Sequence, residues 1–268
     1  MRKNATKWMA TVLNNHGGLN MRHFTVMKIG LVLFLCLMLF PSCGGKDTTR
    51  TTPEEYKFTV NGVVVKDVNS GKDIAYFAIL RDGNPFDGAV VKVGADTLDN
   101  QGNGNYYLEG FPLFSFGQNV SINVSSADDD FNLSTSVLMP GSFQITNINH
   151  PTITSAQADQ VVVYFSPSSG ASGYFKSIVR PSGSNGYTAL IPATEIGQTG
   201  IAADAFYEGL TFITGTYQVF LVSYRSSFLY YPGIEFYLPG GLPADNVSGA
   251  NGTIGAGVVA PSISIEAE

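Results

Sequence analysis

The sequence predicts an all-β protein made of two β-sandwiches that follow an N-terminal export segment. Apolar and polar residues alternate with a period of two throughout the chain after residue 55, whereas helical spacing is nearly absent. Clusters of Gly, Asn, Asp, Ser and Pro separate the alternating runs. Short strands divided by such turns are typical of β-sandwiches and barrels.

Composition excludes several classes of protein. The chain has 268 residues and a net charge of −6, with 44% hydrophobic and 13% charged residues. A disordered polyelectrolyte has fewer hydrophobic and more charged residues. A nucleic-acid partner is not expected either, because neutralising phosphates requires clustered Lys and Arg. Cys36 and Cys43 are too few for a disulfide-dense scaffold.

Residues 1–42 have the pattern of an export signal that is removed. The 21 acidic residues all lie after residue 43, where they stand against ten basic residues and give the remaining chain a charge of −11. The apolar run from Ile29 to Phe40 is 12 residues long, and a membrane span requires about 20. A basic start, a short apolar run and a small residue before the cut predict a signal segment. Met21 or Met27 would give it a more ordinary length than Met1.

The end of this segment, Leu39-Phe40-Pro41-Ser42-Cys43-Gly44-Gly45, resembles a bacterial lipoprotein signal. The resemblance implies that Cys43 is lipidated, carries acyl chains such as palmitate, and becomes the mature N-terminus. The membrane is then a partner through these chains, and we expect an outer-membrane protein tethered by residues 43–55. Lys46 and Asp47 resemble a surface-export signal, or are simply solvated linker residues. A transmembrane anchor and an ordinary signal peptide cut nearby remain alternatives.

Two domains are expected after the tether, at residues 56–147 and 148–268. The Pro- and Asn-rich stretch at residues 145–152 interrupts the strand pattern, which restarts beyond it. A single large barrel is the alternative. Residues 201–210 are the one stretch that a helix would fit. The inward-facing residues are predicted to include Phe58, Val60, Val120, Ile122, Val124, Val161, Val163, Phe165, Tyr217, Val219 and Leu221.

Each domain resembles a known family. In the first, the Gly88-Ala89 strand start, the Asp/Gly turn and the Gly104-Asn105-Tyr106 motif resemble carboxypeptidase regulatory-like and related transthyretin-like domains. That family implies a stalk, spacer or recognition module without catalytic residues. In the second, residues 161–165, Tyr174 and residues 215–219 resemble a fibronectin type III domain, with Phe165 at the family's core Trp position. Together they imply two tandem immunoglobulin-like β-sandwiches after a lipoprotein signal peptide.

The residues do not suggest an enzyme. His150 is the one His after the signal segment, and a Ser-His-Asp triad would have to use it although it lies at the expected domain junction. Zinc sites need several Cys or His ligands, so no such cofactor is expected. Calcium is a weak possibility, since two segments are rich in oxygen ligands. Their candidate ligands, which are better explained as turn residues, are Asp96, Asp99, Asp128, Asp129 and Asp130.

A Tyr-rich segment from Ser223 to Leu242 is the main candidate for binding, because sandwich loops and edges often carry recognition sites. Its alternative role is core, since strand alternation would place about half of its aromatics inward. The candidate binding residues are Tyr224, Arg225, Phe228, Tyr230, Tyr231, Glu235 and Tyr237.

The expected function is that of a non-enzymatic, lipid-anchored envelope protein at the Gram-negative cell surface. It would act in binding, adhesion or scaffolding, with a glycan or a protein as ligand. The first alternative is a glycan-binding accessory lipoprotein of a polysaccharide-uptake system. The second is a structural subunit that pairs through a β-sheet edge.

Overall fold

The computed structural model describes residues 57–226 and 247–268, which belong to one compact unit, Pro53–Glu268. In these ranges the chain forms β-strands and three 3₁₀ turns but no α-helix, so the all-β prediction is confirmed. The 3₁₀ turns are Ser155–Gln157, Ala193–Glu195 and Ala203–Phe206. The prediction that a helix would fit residues 201–210 is wrong, because this stretch forms a 3₁₀ turn at Ala203–Phe206 followed by a short strand at Tyr207–Glu208.

The described strands are β1 (Phe58–Asp67), β2 (Lys72–Arg81), β3 (Asn84–Pro85), β4 (Val90–Val93), β5 (Asp96–Thr97), β6 (Asp99–Gly102), β7 (Asn105–Gly110), β8 (Asn119–Ser126), β9 (Phe131–Leu138), β10 (Ile145–Ile148), β11 (Thr152–Ile153), β12 (Val162–Phe165), β13 (Gly173–Val179), β14 (Asn185–Ile191), β15 (Gln198–Gly200), β16 (Tyr207–Glu208), β17 (Thr211–Phe212), β18 (Gly215–Ser226), β19 (Ile254–Val259) and β20 (Ile263–Ala267).

One large sheet of 11 strands organises the described residues. Its main order is β11-β20-β18-β19-β1-β2-β7-β6, with β13 and β14 extending from β18 and with β3 beside β2. Strand β1 is antiparallel to β2 and parallel to β19, which it meets from Gly62 opposite Ile254 to Asp67 opposite Val259. Strands from both sides of the expected boundary at residues 147 and 148 therefore share one sheet, and that boundary falls inside β10. The division into two separate domains stays a prediction.

Three smaller sheets accompany the large one. They are a four-stranded sheet (β5-β4-β8-β9), a three-stranded sheet (β10-β12-β15) and the β16-β17 pair. Their inward residues join those of the large sheet in one hydrophobic core, which holds all the side chains that alternation predicted to face inward. Within it the Phe58 and Phe131 rings stack at 4.1 Å, and Phe165 lies 5.2 Å from Tyr174. This burial is the main favourable contribution to folding.

The opposite face of the large sheet, here called the outer face, carries a second buried cluster. Its members are Val63, Val65, Ile74, Phe175, Phe220, Val222 and Val259. Tyr76, Tyr107 and Tyr224 are partly buried and pack against this cluster. Several central strands are thus apolar on both faces, which simple alternation does not predict for a sheet with one solvated face.

Local hydrogen bonds fix the strands next to the site described below. Gly104 has φ of +72°, and a Cβ there would lie 2.4 Å from the Ile79 carbonyl oxygen, so only glycine fits. The buried Tyr106 hydroxyl donates to the Phe86 carbonyl and accepts from the Ala89 N–H, both at 3.0 Å. The Gly-x-Tyr motif therefore ties β7 to the segment that leads into β4.

A buried ion pair joins the end of β1 to the start of β2. Lys66 Nζ lies 3.0 Å from Asp73 Oδ2 and donates to the Phe114 carbonyl at 2.9 Å. The same Asp73 oxygen accepts from the N–H groups of Leu113 and Phe114 at 2.7 and 2.9 Å. The carboxylate consequently holds the segment after β7 against the sheet.

Candidate functional site

Two tyrosines meet on the outer face of the large sheet. Tyr76 of β2 and Tyr107 of β7 are directly opposite in the antiparallel register, which places their side chains on one face as neighbours. Both are half-buried. They line a cleft of about 330 Å³ together with Gln101 and Asn105. These four residues define the Tyr76–Tyr107 cleft.

Hydrogen bonds hold the amide wall of the cleft. The Tyr76 hydroxyl donates to Asn105 Oδ1 at 2.5 Å. Asn105 Nδ2 donates to the carbonyls of Gly102 and Asn103, both at 3.2 Å, so its amide orientation is fixed by the turn before β7. Gln101 is exposed and its amide makes no hydrogen bond within the described ranges. The cleft thus combines one fixed amide with one that is available to a ligand.

Charged groups beside the cleft neutralise each other. The Tyr107 hydroxyl donates to Glu109 Oε2 at 2.6 Å, and Lys72 Nζ lies 2.8 Å from Glu109 Oε1. The Lys72 ammonium, and secondarily the Tyr107 hydroxyl, lowers the pKa of the Glu109 carboxyl by hydrogen bonding. Such an exposed pair adds little stability. It does orient the Tyr107 hydroxyl and leave no net charge on this pair.

The arrangement offers contacts for binding. Two phenol side chains supply apolar surface with a polar tip, and the exposed Gln101 amide supplies a donor and an acceptor. Concave sites of this kind, mostly aromatic with a few placed polar groups, are the usual form of small-ligand sites.

The structure describes only part of the predicted Tyr-rich site. Tyr224 is half-buried near the end of β18, 6.5 Å from the Phe175 ring, and burial raises the pKa of its hydroxyl. Arg225 is exposed and approaches the Gly170 carbonyl at 3.5 Å. Neither is among the described residues that line the cleft. Cys43 lies outside the described ranges. So do the other predicted binding residues, which are Phe228, Tyr230, Tyr231, Glu235 and Tyr237.

The calcium candidates fall in separate places. Asp96 and Asp99 are exposed on β5 and β6, which belong to different sheets, and Asp128 and Asp130 are exposed in the β8–β9 turn. Asp129 has ion pairs with Lys57 at 2.5 Å and Arg81 at 2.8 Å. The hydrogen bond from Lys57, followed by that from Arg81, lowers the pKa of the Asp129 carboxyl.

Because cations occupy both carboxylate oxygens of Asp129, this residue would bind a metal only by giving up those pairs. The described ranges contain no group of three or more His, Cys, Asp or Glu residues placed to hold a metal ion. Calcium binding stays a prediction.

Sequence reasoning missed the four residues of the cleft. A sequence signal for the cleft was present, because β2 and β7 each place a Tyr on the face opposite the core. Tyr76 lies between the buried Ala75 and Phe77, and Tyr107 follows the buried Tyr106. Pairing Tyr76 with Tyr107 requires the register of β2 and β7, which the alternation of one strand does not contain.

No protein-family model matches the chain, and a search of curated proteins found no match to it. Among the described residues there is no helix that is long and apolar enough to cross a membrane.

Proposed function

We propose that this chain is a non-enzymatic binding protein, anchored by lipid at Cys43 in the outer membrane of a Gram-negative cell. The observation that carries the binding role is the Tyr76–Tyr107 cleft, a concave site of aromatic and amide side chains on a large, well-packed sheet. The lipoprotein-like segment that ends at Cys43 supports the location.

The anchor is proposed from the residues around the cut. Each buried CH₂ of an acyl chain adds about 0.8 kcal/mol of membrane affinity, so two or three chains on Cys43 hold a protein firmly. Residues after Cys43 carry a net charge of −11, which disfavours contact of the folded part with anionic lipid. The folded part is then expected to stand away from the membrane on its tether, where a ligand can reach it.

The finer architecture is also a proposal: two immunoglobulin-like halves that share one sheet. Strands β1, β2 and β7 with the four-stranded sheet would form the first half. Strands β13, β18 and β20 with the three-stranded sheet would form the second. The joint core and the pairing of β1 with β19 support a rigid platform in which the halves do not move independently. A rigid platform suits a binding site that lies on strands.

Fractionation of cells that produce the protein tests the anchor and the location. We expect the native chain in the outer membrane and Cys43→Ala in the soluble fraction. Cys36→Ala is the matched control, because Cys36 lies inside the apolar run and is expected to be removed with it; this variant should stay in the membrane. Protease treatment of intact cells then separates surface from periplasmic exposure. A Cys43→Ala chain that fractionates like the native one would contradict the proposal.

A second candidate function is pairing with another chain through a sheet edge. Strand β14 has seven residues without a charge, and among the described strands it pairs with β13 alone. Its Leu190 is 43% exposed. Edge strands of monomers are usually protected by charged residues. If β14 pairs, Leu190→Lys should shift the protein to a smaller species in size-exclusion chromatography, and Leu210→Lys at a fully exposed turn should not. A native monomer at every concentration would exclude this function.

A further inference from the structure

We infer that the free edge of β9 pairs with β9 of a second copy of this chain, antiparallel and around a two-fold axis. The four-stranded sheets of the two copies then join into one continuous sheet, in which β9 of each copy lies at the centre. This inference rests neither on the proposed anchor nor on the proposed binding cleft. It also concerns a different sheet edge from that of β14.

Strand β9 is an edge strand with open backbone groups. It pairs with β8 along its whole length, from Phe131 to Leu138, and with no other described strand. In an antiparallel pair, alternate residues turn their N–H and C=O groups away from the neighbouring strand. Within the described ranges, no backbone group of residues 131–138 makes a hydrogen bond outside the pairing with β8. A further strand can therefore add to this edge.

The edge of β9 lacks the features that protect edge strands. Natural proteins blunt sheet edges with charged residues, Pro, bulges or very short strands. Strand β9 has eight residues, no charge and no Pro, and its register with β8 is unbroken. By contrast, the edge strands β5, β11 and β15 have only two or three residues, and the edge strand β6 carries Asp99 and an irregular register. The protection found at those edges is missing from β9.

The side chains of β9 are compatible with those of an identical strand. A pair centred on Ser134 places Asn132 opposite Ser136 of the second copy, and Ser134 opposite its own counterpart. These three residues are exposed, and polar pairs of this kind hydrogen-bond across strands. On the other face, Leu133 meets Thr135 of the second copy. No charge faces a like charge, which would be destabilising.

The charges beside β9 favour the same register. In the pair centred on Ser134, Asp130 lies opposite Leu138 of the second copy. Leu138 is next to Gly170, where a Cβ would lie 2.9 Å from Leu138 Cδ2, and Arg225 approaches the Gly170 carbonyl at 3.5 Å. Arg225 is exposed and has no ion pair within the described ranges. Each Asp130 therefore approaches an arginine of the other copy, whereas the two acidic turns stay about 27 Å apart, beyond the Debye length of about 10 Å.

Disulfide cross-linking in cell membranes tests the pairing with the full chain. The native chain gives the background from Cys36 and Cys43, the two Cys of the sequence. Ser134→Cys should give at least tenfold more oxidised dimer on a non-reducing gel, because the paired Cα atoms lie about 4.5–5.5 Å apart, within disulfide range. Asn132→Cys is the matched control on the same strand and face. Its two thiols would be offset by about 14 Å and should stay at background.

A double variant tests the register, and lysine variants test the pairing without cysteines. Asn132→Cys combined with Ser136→Cys should restore cross-linking, because these positions face each other between copies. In sedimentation velocity the native chain should be a dimer. Ser134→Lys, which sets two ammonium groups opposite each other, should make it a monomer, and Ser121→Lys at an exposed position of β8 should leave it a dimer.

Several results would overturn the pairing. They are background cross-linking by Ser134→Cys, equal cross-linking by Asn132→Cys, and a native monomer at every concentration. A dimer that Leu190→Lys on β14 dissociates and Ser134→Lys does not would place the contact at the other edge and would also overturn it. Circular dichroism should show that all variants are folded. Cross-linking of Ser134→Cys in a chain that is not lipidated would retain the pairing and lose the anchor, so the two proposals fail separately.

Discussion

Replacing Asp73 by Ala should destabilise the protein strongly. The Asp73 side chain is fully buried, and its removal leaves the Lys66 ammonium with the Phe114 carbonyl as its remaining hydrogen-bond partner in the described ranges. Breaking one side of a buried ion pair costs about 3–5 kcal/mol. The N–H groups of Leu113 and Phe114 also lose their acceptor, at about 1–3 kcal/mol each where water does not replace it. We therefore expect a loss of at least about 3 kcal/mol, a large part of a typical stability of about 5–15 kcal/mol.

Urea unfolding followed by circular dichroism measures this loss. The control is Glu109→Ala, which breaks the exposed pair with Lys72 and should cost less than about 1 kcal/mol. The double variant Lys66→Met with Asp73→Leu should lose less than the sum of its single variants, because no buried charge is left unpaired. A loss below about 1 kcal/mol for Asp73→Ala would refute the description of this pair as buried and mutually dependent.

Three further predictions concern single residues. Gly104→Ala should lower the free energy of unfolding by at least about 1–3 kcal/mol from backbone strain alone. The loss should exceed that of Gly94→Ala, since Gly94 also has a positive φ but has no atom within 4 Å of a new Cβ. The midpoints of urea unfolding compare the two variants. Tyr106→Phe should cost about 1–3 kcal/mol, because two buried backbone groups lose the hydroxyl; an unchanged midpoint would contradict those hydrogen bonds. Burial lowers the pKa of Lys176 from 10.5, so the folded state binds fewer protons there than the unfolded state, and stability should rise with pH as pH passes through the lowered pKa. The rise is measured by urea unfolding below pH 10, before the tyrosines titrate, and Lys176→Met should abolish it; an equal rise in that variant would exclude Lys176 as its cause.

Much of the fold could be predicted because the face of a strand on which a side chain lies depends on the alternation of apolar and polar residues in that strand. Alternation placed Val120, Ile122 and Val124 on one side of a strand, and all three are buried in the core. A side chain's face follows from the period of two in its own strand, whichever strand lies beside it. The same argument explains why Phe165 could be assigned to the core.

Strand partners could not be predicted in the same way. Gly62 of β1 lies opposite Ile254 of β19 in a parallel pair whose two strands are far apart in the sequence. No local pattern in either strand identifies the other as its partner. The cleft depends on such a register too, since Tyr76 and Tyr107 become a pair only when β2 meets β7. The dense aromatics after Ser223 drew attention instead, because a cluster along the sequence is visible without a structure. Asp129 shows the converse: its turn suggested a metal ligand, but its oxygens are bound by Lys57, just before β1, and by Arg81, at the end of β2, both far from it in sequence.

The most direct test of the central claim, a lipid-anchored binding protein, is mass spectrometry of the N-terminal peptide from the membrane fraction. The account predicts a mature chain that begins at Cys43 and carries acyl chains on that residue. A chain that retains residues 1–42, or one that starts elsewhere without lipid, would contradict it.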